Sequence, residues 1–171
     1  MSELVRKLTL IFLQIFYYLI QIALRISAVK ILKMRLKAQK EHPTRWKERL
    51  GETNQVRPTG ELIWLHAVGL GEVMALRGLI NIILQTKPDV NFLVTSSTIQ
   101  SAELFSQNLP ANTTHQFIPL DVHKFRRSFL SRWTPNLVIW SEQEIWPGFV
   151  NDCARLKISQ VWINARMADR A

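Results

Sequence analysis

The stretch IWLHAVGLGEVMALR, residues 63–77, determines how the rest of the chain is interpreted. It begins as an apolar run, passes through a turn with two glycines, and continues into helix-forming residues with Glu72 at the junction. An apolar strand, a tight turn and a carboxylate at a helix start are how open α/β sheets place chemistry at the carboxyl ends of their strands. Glu72 is therefore the leading candidate for a catalytic residue.

Downstream of this stretch, apolar runs rich in β-branched residues alternate with helix-compatible segments. The predicted strands are residues 62–67, 90–95, 115–120, 137–140 and 160–163, and the predicted helices are residues 72–86, 99–108, 122–133 and 146–157. Strands that alternate with helices of this length predict a parallel sheet with right-handed crossovers. The predicted fold class is α/β, a Rossmann-like parallel sheet with flanking helices over residues 61–171.

Upstream, residues 8–24 form an apolar stretch that only Thr9, Gln14 and Gln21 interrupt. As a helix this stretch is roughly 25 Å long, slightly short of a hydrocarbon core of about 30 Å. Apolar residues occur on all its sides, which favours insertion into a membrane over lying flat in the interface. We expect residues 1–26 to form a membrane-anchor helix, either single-pass or monotopic. A cleaved signal peptide and a buried core helix are the alternatives.

The chain is strongly basic, with a formal net charge of +9, and its positive charge is concentrated after the apolar stretch. Nine Lys or Arg occur between Arg25 and Arg49, against only Glu41 and Glu48. A basic segment beside an anchor remains cytoplasmic and attracts anionic headgroups, so residues 27–60 are predicted to be a basic juxtamembrane segment and linker. A solvated charged helix is the alternative. Nucleic acid is not expected as a partner, because no binding motif accompanies the charge.

Polar residues follow each predicted strand, and the carboxyl ends of parallel strands lie along one edge of a sheet. Each residue also has a simpler explanation, because Ser, Thr and Asp cap helices and Glu72 could complement a helix dipole. Glu142 and Glu144 could be a cap and an exposed acid instead of a functional pair. Because polar residues coincide at several strand ends, the sequence nonetheless predicts a single cleft, lined by His66, Glu72, Ser96, Ser97, Thr98, Asp121, Glu142, Glu144, Asn164 and Arg166.

Several other chemistries have little support in the sequence. Gly69-Leu70-Gly71 is half of a phosphate-binding loop, but Met74 stands at the third glycine position, so the glycines are expected to give a substrate room to approach Glu72. The single cysteine, Cys153, excludes an internal disulfide, and the histidines lack metal-ligand spacing. We expect no cofactor and no metal.

Four motifs, in order, resemble those of the Kdo (3-deoxy-D-manno-octulosonic acid) transferases of Gram-negative bacteria. They are LHAVGLGEVMALR, FIPLDV, EQEIWPG and INARMADR, and the apolar start and the Arg49–Glu52 piece resemble the family too. The resemblance covers essentially the whole chain. It implies one half of a two-domain GT-B glycosyltransferase that transfers Kdo from CMP-Kdo to an anionic lipid A precursor, lipid IVA, with inversion.

The resemblance also implies roles for individual residues. Glu72 corresponds to the proposed general base, and Glu142 to the glutamate proposed to support the transition state. The surrounding motif residues are then expected to bind substrate, namely Gly69, Gly71, Ser96, Thr98, Glu144, Asn164 and Arg166. The implied location is the cell inner membrane, with the soluble domain on the cytoplasmic side and lipopolysaccharide core biosynthesis as the process.

Three departures from the family pattern bear on activity. Gly69 replaces the usual serine, Ile99-Gln100-Ser101 replaces Pro-Thr-Gly, and the sequence ends at Ala171, before the domain that binds CMP-Kdo in the family. We therefore expect this chain to supply the acceptor-binding half, with transfer only if a donor domain is supplied. The alternative is a non-catalytic, membrane-anchored module that binds a phosphorylated lipid.

Overall fold

The computed structural model describes residues 3–141 and 146–163 of the chain. It begins with a long helix, α1, and a short 3-10 helix at Trp46–Leu50, and then alternates strictly between strand and helix. The elements are α1 (Glu3–Lys37), β1 (Leu62–His66), α2 (Leu70–Thr86), β2 (Asn91–Ser96), α3 (Ile99–Gln107), β3 (Thr113–Phe117), α4 (His123–Trp133), β4 (Leu137–Ser141), α5 (Pro147–Arg155) and β5 (Ser159–Ile163).

The five strands form one parallel sheet in the order β3-β2-β1-β4-β5. The chain moves outward from β1 through β2 to β3, and then returns to place β4 on the other side of β1. His66, the last residue of β1, is in register with Thr95 of β2 and Trp140 of β4. This arrangement confirms the predicted α/β, Rossmann-like fold. It also creates a topological switch point between β1 and β4, where such sheets bind ligands.

Helices cover both faces of the sheet, because the side chains of each strand alternate between two hydrophobic cores. On one face Leu62 and Trp64 pack with residues of α4 and α5 such as Phe129 and Phe149. On the other face Ile63 and Leu65 pack with residues of α2 and α3. Burial on both faces accounts for the nearly continuous apolar sequence of β1, whose five residues are all buried.

Among the five strands, the third is the one whose bounds differ most from the prediction. It covers Thr113–Phe117, whereas the sequence predicted residues 115–120. The backbone leaves the ladder soon after Phe117. Ile118 still donates to the carbonyl of Ser96 at 3.1 Å, but Leu120 donates to the carbonyl of Arg49 at 2.9 Å, outside the sheet. The apolar run therefore continues past the end of the strand.

Helix α1 packs against the sheet domain along its second half. Ala28 and Leu32 are buried against Leu50, Val122 and Phe125 in a third core. The helix continues to Lys37, and residues 11–37 are long and apolar enough to cross a membrane by length and composition. The apolar helix could therefore serve as a membrane anchor, while its carboxyl-terminal part belongs to the packed structure of the domain.

Several basic residues of the predicted juxtamembrane segment face the interior. Arg49 is only 7% exposed and donates to the Glu41 carboxylate at 3.2 Å and to the carbonyl of Ile118 at 3.1 Å. Arg45 makes a bidentate pair with Glu48 at 2.9 and 3.0 Å and donates to the carbonyl of His115 at 2.8 Å. These guanidinium groups join the segment to the edge of the sheet at β3, so they are not available to headgroups.

Candidate functional site

The candidate site begins at the turn between β1 and α2, where Glu72 is the third residue of the helix. Its Oε2 accepts hydrogen bonds from the backbone N–H groups of Val68 at 3.2 Å and Gly69 at 2.9 Å. These bonds satisfy amides that the helix itself cannot pair. The sequence offered a helix-dipole role as the simpler explanation of Glu72, and these bonds show that the carboxylate does serve the start of α2. The same contact orients a half-buried carboxylate at the carboxyl edge of the sheet.

The two glycines beside Glu72 have different surroundings. A Cβ atom on Gly69 would lie 2.8 Å from Glu72 Oε1, whereas a Cβ atom on Gly71 would meet no atom within 4 Å. The Gly69 backbone has φ −75° and ψ 159°, a conformation open to any residue. The space at Gly69 is therefore taken up by the Glu72 carboxylate, and open space for an approaching molecule is found at Gly71.

A cavity of about 320 Å³ lies next to Glu72, between the start of α2 and the ends of β4 and β5. Among its described lining residues most are apolar, and Glu72 and Ser141 are the polar ones. Its described lining residues are Gly71, Glu72, Ala75, Leu76, Leu79, Ser141 and Ile163. The cavity lies close to the switch point between β1 and β4, the position that the fold favours for a ligand.

Ser96, the last residue of β2, and Thr98, which follows shortly after it, are engaged with the protein itself, whereas the buried hydroxyl of Ser97 has no hydrogen-bond partner within the described residues. Ser96 is fully buried, and its hydroxyl lies 2.9 Å from Nε2 of His115. Thr98 caps α3, because its Oγ1 accepts a hydrogen bond from the backbone N–H of Ser101 at 3.1 Å. The cap explanation for Thr98 is thus confirmed. Ser96 and Thr98 line the same edge of the sheet as Glu72, and their role in substrate binding stays a prediction.

Asp121, which follows β3, holds the start of α5 in place. Its carboxylate accepts from Arg126 Nη1 at 3.0 Å and from the backbone N–H of Gly148 at 3.1 Å. Arg126 is 4% exposed and also donates to Asp152 at 2.7 Å. Burial opposes the charged form of Arg126, but the hydrogen bond with Asp152 and the negative charges of Asp121 and Asp152 together raise its pKa above the ordinary value. The sequence pointed to Asp121 but not to Arg126. The only sequence signal for a role of Arg126 was that a charged residue stands among the apolar residues of α4.

His66 ends β1 in a buried aromatic environment. Its Nδ1 lies 2.9 Å from the hydroxyl of Thr95, and its ring makes edge contacts with the rings of Trp140 and Trp146. Burial lowers the pKa of His66 to about 3, so the imidazole is neutral at physiological pH. Neither Nε2 of His66 nor Nε1 of Trp146 has a hydrogen-bond partner within the described part of the chain. The sequence did not reveal this pair.

The remaining predicted site residues lie outside the described residues: Glu142, Glu144, Asn164 and Arg166. Pro147, three residues after Glu144, occupies the first position of α5, where its fixed φ suits a helix start. Over residues 3–141 and 146–163, no group of three or more His, Cys, Asp or Glu side chains is arranged to hold a metal ion.

Comparison with known proteins identifies the class. Residues 44–171 match the family described as 3-deoxy-D-manno-octulosonic-acid transferase (kdotransferase). The match includes the whole sheet and the turn that carries Glu72. It places the chain among glycosyltransferases. The chain belongs to the 3-deoxy-D-manno-octulosonic acid transferase family.

Individual relatives agree with the family match. The chain is 40% identical over 131 residues to a probable 3-deoxy-D-manno-octulosonic acid transferase, mitochondrial, of Arabidopsis thaliana, an alignment that covers 77% of this chain and 29% of the relative. It is 38% identical over 159 residues to the 3-deoxy-D-manno-octulosonic acid transferase of Rickettsia bellii, covering 93% and 38%. The enzyme of the same name from Rickettsia felis is 44% identical over 110 residues, covering 64% and 24%. The chain thus spans between 24% and 38% of the length of these relatives.

Proposed function

We propose that this chain supplies the acceptor-binding half and the general base of a Kdo transferase. In this proposal Kdo passes from CMP-Kdo to a lipid A precursor, lipid IVA, with inversion at the anomeric carbon. A second α/β domain, in the GT-B arrangement, binds the donor. The reaction belongs to lipopolysaccharide core biosynthesis and takes place at the cytoplasmic face of the inner membrane.

The observation that carries the proposal is the position of Glu72. Its carboxylate is fixed by the amides of Val68 and Gly69, and it borders the cavity at the switch point of the sheet. A sugar hydroxyl is too weakly acidic to ionise at neutral pH, so a positioned base must take its proton as the new glycosidic bond forms. Base catalysis of this kind typically contributes about 10²–10⁴ in rate.

The other roles follow from this assignment. Glu142 supports a transition state with oxocarbenium character, of the kind also met in glycoside hydrolysis. Gly71 leaves open space beside the base, and Gly69 leaves room for its carboxylate. Ser96, Thr98, Glu144, Asn164 and Arg166 complete the substrate-binding edge. The exposed lysines of α1 attract the phosphorylated acceptor and the anionic surface in which it is embedded.

The test is to restore transfer and then remove the base. The chain is purified in detergent, combined in trans or by fusion with a donor domain from a family member, and supplied with CMP-Kdo and lipid IVA. Mass spectrometry of the lipid product measures Kdo transfer. Glu72→Gln is expected to lower the rate by about 10²–10⁴ while lipid binding is retained.

Glu61→Gln is the matched control, because Glu61 is an exposed glutamate at the opposite end of β1. It should leave the transfer rate unchanged. Transfer by Glu72→Gln at nearly the original rate would refute the assignment of the base. Lipid binding without transfer, under every donor domain supplied, would instead support the non-catalytic module.

A further inference from the structure

Helix α1 has two distinct stripes of side chains on opposite sides. Residues spaced three or four apart lie on the same side of a helix. One stripe is mixed, with the members Gln14, Tyr18, Gln21, Arg25, Ala28, Leu32 and Arg35. It faces the sheet domain from Gln21 onward, whereas Tyr18, which comes before that point, is 71% exposed. The opposite stripe is apolar and then basic, with the members Leu8, Phe12, Ile15, Leu19, Ile22, Ile26, Lys30, Lys33 and Lys37.

The domain-facing stripe is fixed to the sheet domain from Gln21 onward. The Gln21 side chain donates from Nε2 to the carbonyl of Asp121 at 2.9 Å, and its Oε1 accepts from the backbone N–H of His123 at 3.1 Å. Two turns further along, Ala28 and then Leu32 are each 1% exposed. Arg35 pairs with the buried Glu41 at 2.8 Å. The helix therefore cannot pivot relative to the domain without breaking these contacts.

This attachment limits how much of the helix can enter a bilayer. Asp121 and His123 belong to the soluble domain. Gln21, which is bonded to them, therefore stays outside the bilayer core, and only the part of α1 before Gln21 can enter it. Only residues 8–20 of the apolar stretch remain, which amounts to about 20 Å of helix at 1.5 Å per residue. A hydrocarbon core is about 30 Å thick, so this segment is too short to cross it.

The opposite stripe has the composition of a surface that lies along a membrane. Phe12 is 67% exposed and Ile26 is 78% exposed, which is a large apolar area for a side chain to leave in water. Lys30, Lys33 and Lys37 continue the same stripe beyond Ile26 and are exposed. A helix with apolar residues on its outer side, and lysines where that side approaches the headgroups, matches an interfacial anchor on an anionic membrane.

We propose that α1 lies obliquely within a single leaflet of an anionic membrane instead of crossing the bilayer. Its apolar outer residues contact acyl chains, and its three outer lysines contact anionic headgroups. Because α1 is fixed to the domain, this orientation also fixes the domain against the membrane surface. The proposal concerns membrane geometry alone and does not depend on the transfer reaction.

Depth measurements on the full chain test the proposal. Cysteines introduced at Phe12, Leu19 and Ile26 on the outer stripe, and at Gln14 and Tyr18 on the inner stripe, are labelled with an environment-sensitive fluorophore. The native Cys153 is fully buried, so the unaltered chain is the control for labelling. The protein is added to vesicles of phosphatidylcholine and phosphatidylglycerol that contain lipids with quenchers at known depths.

The expected result is that the depth of the three outer labels increases gradually from residue 26 to residue 12 but stays within one leaflet, and that the two inner labels are quenched less. Depths that increase steadily from residue 26 to residue 12 and pass the bilayer midplane would refute the proposal. Equal quenching of both stripes would refute it as well, because it would show lipid on all sides of the helix.

A charge variant gives an independent measurement. Replacing Lys30 and Lys33 with glutamine should weaken binding to these anionic vesicles about thirtyfold, with no change on pure phosphatidylcholine. The matched control replaces Lys87 and Lys157, exposed lysines elsewhere on the domain, and should have little effect. Equal losses for the two pairs would show that net charge, and not the outer stripe of α1, governs binding.

Discussion

Because His66 and His115 are buried and neutral, we expect the fold to lose stability in mildly acidic solution. Burial is the main cause that lowers the pKa of His66 to about 3, and burial beside Arg45 and Arg49 lowers the pKa of His115 to about 3. The ordinary pKa of a histidine side chain in an unfolded chain is about 6.5. Below that pH the unfolded state binds more protons than the folded state, so the free energy of unfolding decreases as the pH falls from about 6.5 toward 3.

The size of the effect follows from the two pKa values. One proton of difference changes the free energy of unfolding by about 1.4 kcal/mol per pH unit. Between pH 8 and pH 5, each histidine should therefore lower the free energy of unfolding by about 2 kcal/mol, and the two together by about 4 kcal/mol. Because a domain of this kind is typically stable by only about 5–15 kcal/mol, this loss is a large fraction of the total.

Guanidinium unfolding in detergent, followed by the fluorescence of the buried tryptophans, measures this difference at pH 8 and pH 5. His115→Gln should remove about half of the pH-dependent loss, whatever it does to stability at pH 8. His123→Gln, at an exposed histidine, should leave the loss intact. A change below about 1 kcal/mol in the unaltered chain, or an undiminished change in His115→Gln, would refute the argument from burial.

Two further predictions concern backbone conformation and a buried ion cluster. Gly51 has φ +73°, and a Cβ there would lie 2.4 Å from the carbonyl oxygen of Phe125, so Gly51→Ala should lower the free energy of unfolding by more than about 2 kcal/mol. Gly60→Ala, with a positive φ but its nearest neighbour at 3.8 Å, should cost only about 1 kcal/mol by the same unfolding measurement. Arg126→Leu should cost about 3 kcal/mol because it removes the buried cation that the partly buried Asp121 and Asp152 share. Arg155→Leu, at an exposed arginine with a long 3.8 Å contact, should cost less than about 1 kcal/mol, and equal costs for the two arginines would contradict the role of burial.

The fold could be predicted from sequence because its signals are local. Most strands are short apolar runs, and helices such as α3 and α5 begin near a residue that suits a helix start, Thr98 and Pro147 respectively. The turn that holds Glu72 is local as well, since its hydrogen bonds connect residues three and four positions apart. The end of β3 was missed because an apolar sequence continues past the point where the backbone leaves the sheet.

Contacts between distant parts of the sequence could not be predicted in this way. The sequence shows Arg45 and Arg49 as part of a basic run, yet the fold brings distant backbone carbonyls to them. The carbonyl of His115 lies 70 positions from Arg45, and the carbonyl of Ile118 lies 69 positions from Arg49. Arg126 likewise gains its role from Asp152, which lies 26 positions away. A single sequence shows how many charges a segment carries, whereas the direction in which each one points depends on the tertiary structure.

The contact of Gln21 with the loop before α4 has a consequence for truncation of the protein. Cutting the chain after Lys37 to obtain a soluble form would expose Leu50, Val122 and Phe125 to water. A cut just before Gln21 would remove most of the exposed apolar surface and retain both hydrogen bonds to the loop. The structural boundary of the domain therefore falls within the apolar stretch, several residues before the point where its hydropathy declines.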